Sequence, residues 1–157
     1  MKHNRLFIAL VRFGVRLHVA LFRLTGGRLL GRNTILLTTR GARTGRLHTV
    51  ALVSLRAGGD YFVVGSWGGS ETDPHWFRNL RANPRVILEA GPDRIAAVAT
   101  EITERATYDE LWQRLVLLNG VYRTYRERTT RHLPIVRISP LWTNDAHGKR
   151  VPMRRRD

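Results

Sequence analysis

Arg40, Arg43 and Arg46 stand three residues apart in the stretch TTRGARTGRLHTV (38–50), with Gly41, Thr44 and Gly45 between them and no carboxylate nearby. Guanidinium groups on a loop that glycines allow to fold tightly can converge on phosphate or carboxylate oxygens, assisted by backbone N–H groups. A solvated hairpin with arginines for solubility is the plainer alternative. A second stretch, GSWGGSETDPHWF (65–77), is rich in Gly and Ser and leads into a helix start. There the backbone can approach a planar ligand closely, and the helix N-terminus favours negative charge. Other chemistry is missing from the chain. It has no cysteine, its six histidines show no His-Glu-x-x-His spacing, and there is no Gly-x-Ser-x-Gly elbow, phosphate-binding P-loop or dinucleotide glycine fingerprint. The scarce acidic residues sit mostly at helix starts and turns, which argues against hydrolysis by paired carboxylates. An enzyme of this composition would lean on a bound cofactor.

These two stretches need elements to position them. Short apolar runs bounded by turns predict six strands, over 34–39, 47–55, 61–66, 85–90, 95–103 and 134–139, with hairpin connections at RAGGD (56–60) and GPDR (91–94). A helix is expected over 73–84, with Asp73 as N-cap, Pro74 at the first helical position and Asn83-Pro84 as its stop. Another is expected over 107–129, opened by a Thr107–Glu110 capping box and bent or broken near Gly120. Residues 5–24 form a further helix in this reading. Arg5, Arg12, Arg16 and Arg23 fall on one narrow line opposite a wide apolar face. Arginines at 12 and 16 argue against a transmembrane span, and the broken apolar run argues against a signal peptide. The helix then lies in an anionic membrane surface or packs on the domain. The expected architecture is α+β: a small, mostly antiparallel barrel over 34–140, preceded by the amphipathic helix and linker (1–33) and followed by a loose basic tail (141–157).

The net charge is +15, and residues 1–59 carry +11 of it, because the first acidic side chain is Asp60. That asymmetry points to an anionic partner. Nucleic acid is the weaker choice, since no recognised motif accompanies the charge.

The segments ILLTTRGARTGRLHTVAL, VVGSWGGSETDPHWFRNLRANP and YRTYRERTTRHLPIVRISP, in that order over residues 34–140, resemble the deazaflavin-dependent nitroreductase family, split β-barrel oxidoreductases of actinobacteria. The resemblance implies coenzyme F420, a deazaflavin with a phosphate and an oligoglutamate tail, as cofactor. It implies that Arg43, Thr44 and Gly45, assisted by Arg40, Arg46 or His48, lie by the phosphate and tail. Ser66, Trp67, Gly68 and Gly69 would line the deazaflavin, with Pro74, Trp76 and Asn79 supporting its far edge. Tyr122 and Tyr125 match two of the family's substrate-facing tyrosines, and core packing is the other role open to them. Trp67 stands where the family often has Lys, and Asn119 replaces a third tyrosine. The implied reaction is hydride transfer to a small electron-poor acceptor such as a quinone, enone or nitro compound. A non-catalytic deazaflavin carrier is the alternative. The expected location is the cytoplasm, with peripheral attachment to the inner face of the cell membrane through residues 5–24. The oligomeric state is left open.

Overall fold

The computed structural model describes residues 33–144, 147 and 149–154, together with Val19, Ala20 and Leu24. The expected helix over 5–24 otherwise lies outside the described residues. Six strands, β1 (Thr34–Arg40), β2 (Leu47–Ala57), β3 (Asp60–Val64), β4 (Arg85–Ala90), β5 (Asp93–Glu101) and β6 (Ile135–Pro140), close a barrel in the order β1-β2-β3-β6-β5-β4. Every pairing is antiparallel, and closure comes from β1 on β4, with Leu37 opposite Leu88. All six expected strands are present, with ends displaced by a few residues.

Alternation along the strands builds two cores. Ile35, Leu37, Val63, Val86, Leu88, Ala97, Ala99, Val136 and Ile138 share one buried cluster with Trp76, Phe77 and Leu80 of helix α1 (His75–Ala82). The other faces of β3 and β6 contribute Phe62, Val64 and Ile135 to a second cluster. Helices α2 (Arg105–Leu118) and α3 (Val121–Glu127) complete it with Leu111, Trp112, Leu115 and Tyr122. The glycine pair at 58–59 makes the β2–β3 turn with both residues at positive φ, the geometry that matches strand twist.

Three expectations change. The Thr107–Glu110 box is not the cap of α2. Glu104 is the N-cap, its carboxylate accepting from Ala106 N (2.8 Å) and Thr107 N (2.6 Å), and bonds from Thr107 and then Ala106 hold its pKa below the usual range. The helix expected over 107–129 does break near Gly120, as that glycine suggested: the chain leaves the helical conformation at Asn119 and restarts after Gly120. Asp73 does not cap α1. Pro74 occupies that position without a side-chain cap, and Asp73 pairs with Arg131 at 2.9 Å. The expected loose tail contains a hairpin, β7 (Trp142–Asn144) with β8 (Arg150–Pro152). It is tied to β5 by Ala96 N on the Met153 carbonyl and by an Arg154–Asp93 ion pair.

Antiparallel closure fixes where the connections lie. The β1–β2 loop, the segment after β3, helix α1 and the approach to β6 all fall at one end of the barrel. The tight turns at 58–59 and 91–92 fall at the other.

Candidate functional site

The β1–β2 loop at the first end is a compact unit. Gly41 N donates to the Arg46 carbonyl (2.7 Å), Gly45 N to the Gly41 carbonyl (2.8 Å), and Arg40 Nη1 to the Gly45 carbonyl (3.2 Å). Gly45 needs its glycine, with φ of 67°. Gly41 is buried under its neighbours: a Cβ there would come within 2.8 Å of Thr44 Oγ1 and 3.2 Å of His48 Nε2. Thr44 and His48 are thus brought over the same glycine, while Arg43, Thr44, Arg46 and His48 are all exposed. Among the described residues, Arg40, Arg43 and Arg46 have no acidic partner.

Asn79 holds this loop from beneath. Its Oδ1 accepts from Ala42 N (3.1 Å) and its Nδ2 donates to Thr39 Oγ1 (3.1 Å), with the residue 9% exposed. The structure therefore places Asn79 behind the arginine loop. Pro74 and Trp76 are buried, Trp76 within the barrel core and edge-on to Phe77.

The segment after β3 makes the second part. Ser66 leads into a single turn of 3-10 helix, Trp67–Gly69, in which Trp67, Gly68 and Gly69 have φ of 46°, 67° and 80°. A positive φ is unusual for a bulky side chain and marks a locally strained backbone held by its surroundings. Trp67 nevertheless stays 55% exposed. A Cβ on Gly68 would meet nothing within 4 Å, so one side of this turn is open. A Cβ on Gly69 would come within 2.8 Å of the Tyr125 carbonyl and 2.9 Å of Arg128 Cβ, so the other side lies tight against α3.

That packing brings Tyr125 beside the glycine turn. Tyr125 is half-buried, and its ring lies 6.4 Å from that of Tyr122 at 67°. Tyr122 is 5% exposed and also meets Trp112 at 6.5 Å. Burial pushes its hydroxyl up to about 12 despite a hydrogen bond with Asn119.

Sequence reasoning missed a clasp behind the turn. Arg131, from the segment before β6, donates to the carbonyls of Gly65, Ser66 and Ser70 and to Asp73. Glu71 accepts from Thr130 N (3.1 Å) and Thr130 Oγ1 (3.2 Å), and the Thr130 N–H leads in holding its carboxyl below the usual range. The one signal was indirect: a turn of this kind presents carbonyl groups that need donors, and a guanidinium supplies five.

The site suits a long ligand that is anionic at one end and planar at the other. Cations without acidic partners, exposed hydroxyl and imidazole groups, and an open glycine backbone are the matching donor set, so these residues fit a phosphorylated deazaflavin.

Comparison with known proteins agrees. A family model described as F420H(2)-dependent quinone reductase matches residues 14–140. An F420H(2)-dependent quinone reductase of Mycobacterium tuberculosis is 38% identical over 130 residues, covering 78% of this chain and 87% of the relative. Among solved structures, an F420-H2 dependent reductase is 29% identical with a TM-score of 0.63, covering 69% of this chain and 95% of the other. A second, described as a domain-swapped dimer, is 28% identical with a TM-score of 0.65, covering 84% and 98%. The chain belongs to the F420H(2)-dependent quinone reductase family.

Proposed function

We propose that this protein is an F420H2-dependent oxidoreductase acting on a quinone, with both reactants held at the loop-bearing end of the barrel. Family membership supports the reaction class. The observation that carries the assignment of the site is the Arg40–Arg46 loop, braced by Asn79 and without an acidic partner among the described residues. Reduced coenzyme F420, when bound, supplies the hydride. The chain's own residues do the rest. Arg43, Thr44 and Gly45, with Arg40, Arg46 and His48, hold the phosphate and acidic tail. Ser66, Trp67, Gly68 and Gly69 face the ring system, and Tyr125 orients the acceptor and provides the accompanying proton.

Titration with coenzyme F420 and with FMN tests this directly. Saturable, salt-sensitive binding of the deazaflavin in preference to FMN is expected, followed by oxidation of the reduced coenzyme on rapid mixing with quinones. Equal affinity for FMN, or binding with no turnover of any quinone, defeats the proposal; the second outcome favours a carrier.

The same reading places the protein in the cytoplasm, peripheral to the inner face of the cell membrane through residues 5–24. Its support is the line of Arg5, Arg12, Arg16 and Arg23 and the solubility of many quinones in lipid. Among the described residues no helix is long and apolar enough to cross a membrane. Co-sedimentation with anionic liposomes at low salt, lost at high salt or on removing residues 1–31, is the expected result. An intact chain that ignores such liposomes rules the attachment out.

A further inference from the structure

Arg131 has an unusual set of partners. Its side chain is 13% exposed, and its contacts reach back to one short stretch of chain. Nη2 donates to the Gly65 carbonyl (3.0 Å) and the Ser66 carbonyl (3.2 Å). Nε donates to the Ser70 carbonyl (3.1 Å). Nη1 donates to Asp73 Oδ1 (2.9 Å) and to the His132 carbonyl (3.1 Å). A guanidinium required only as the partner of Asp73 would not need three carbonyls from the turn as well. The planar fork makes this possible, and a lysine ammonium cannot reproduce its geometry.

The consequence for the turn follows from the planarity of the peptide. In a trans peptide the C=O and the next residue's N–H point in opposite directions. Drawing the Gly65 and Ser66 carbonyls onto Arg131 therefore turns the N–H groups of Ser66 and Trp67 away from it. Neither N–H donates to a group among the described residues. The left-handed Trp67 comes directly after these peptides, so the clasp also holds a conformation that a bulky residue does not keep unaided.

We propose that Arg131 is the positioning residue of the ring-facing turn, fixing the Ser66 and Trp67 N–H groups as a preformed pair of donors for an acceptor oxygen of the bound coenzyme. This rests on the cofactor reading above, but the clasp itself is testable without any cofactor. It differs from a general stabilising role because the effect is local to residues 65–70 and depends on the fork of the guanidinium.

The experiment compares wild type with Arg131→Gln and Arg131→Lys, using Asp73→Asn as a milder variant that keeps the guanidinium. Amide hydrogen exchange on the cofactor-free proteins comes first. Exchange at the hydrogen-bonded amides of Gly65, Gly69 and Ser70 should accelerate by about tenfold or more in both Arg131 variants, with β1, β4 and β5 unchanged. Titration with coenzyme F420 should then show about a tenfold or greater rise in Kd and a bound absorption spectrum shifted toward that of the free coenzyme. Lysine should not restore either property, and guanidinium added to Arg131→Ala should restore part of both. Folded Arg131 variants with wild-type exchange and wild-type Kd overturn the proposal. So does global unfolding of the Arg131 variants combined with wild-type exchange and binding in Asp73→Asn, which would reduce Arg131 to a structural residue. If wild type fails to bind the deazaflavin, the functional reading falls, while the exchange data still decide whether Arg131 sets the turn.

Discussion

Tyr125→Phe is expected to slow quinone reduction by about 10²–10⁴-fold, the range associated with losing a positioned proton donor. Coenzyme affinity should hardly change, because the arginine loop and the glycine turn are untouched. The structure favours Tyr125 over Tyr122 for this role. Tyr125 is half-buried at the edge of the apolar cluster, with its backbone against Gly69, whereas Tyr122 is buried inside that cluster with Leu111, Leu115 and Ile135. Burial keeps the Tyr122 hydroxyl protonated up to about pH 12, above the ordinary tyrosine value near 10. The unfolded chain loses this proton first, so the stability linked to neutral Tyr122 is present below pH 10 and is lost as pH rises through about 12. Tyr122→Phe should flatten that fall and leave the rate largely intact. Stopped-flow measurement of the three proteins separates the roles. A Tyr125→Phe enzyme at wild-type rate returns Tyr125 to packing alone.

Arg43→Ala is expected to weaken coenzyme binding by about 10- to 150-fold, as one charge-assisted hydrogen bond contributes roughly 1.5–3 kcal/mol. Arg43 is exposed and has no acidic partner among the described residues, so little folding stability should be lost with it. Salt supplies a second signature. Screening weakens the wild-type contact, so the gap between wild type and variant should narrow as ionic strength rises. Affinities that coincide at low salt would place the anion elsewhere on the protein.

The barrel was readable because its strands carry local signals. Each apolar run is bounded by turn residues, and the glycine pair at 58–59 sits where a two-residue hairpin demands positive φ. The arginine loop was readable for the same reason, since its arginines, glycines and internal hydrogen bonds lie within ten residues, although its brace from Asn79 is long-range. Long-range choices were not. Glu104 won the cap of α2 because its carboxylate reaches two N–H groups, whereas the Thr107–Glu110 pattern only satisfies a spacing rule. Asp73 satisfied a capping rule as well, but its carboxylate is engaged by a guanidinium 58 residues later, a charge-assisted contact that local spacing does not reveal. The clasp by Arg131 has no local signature, because carbonyl groups in need of donors do not show in residue identity. The hairpin at the C-terminal end was hidden by its basic composition, which resembles that of a solvated tail.

The strand order has a consequence for how the protein is made. β6 is the last of the six strands to leave the ribosome, yet it sits between β3 and β5 and pairs with both. Until Ile135–Pro140 emerges, the nascent chain exposes two unpaired strand edges, each able to recruit a neighbouring chain. The local hairpins can form early, but the ring cannot close. Arg131 and Tyr125 are synthesised just ahead of β6, so the glycine turn receives its clasp only as the barrel shuts. A chain that ends before residue 135 therefore lacks the strand that joins β3 to β5, and with it the closed ring on which the glycine turn and its clasp are mounted.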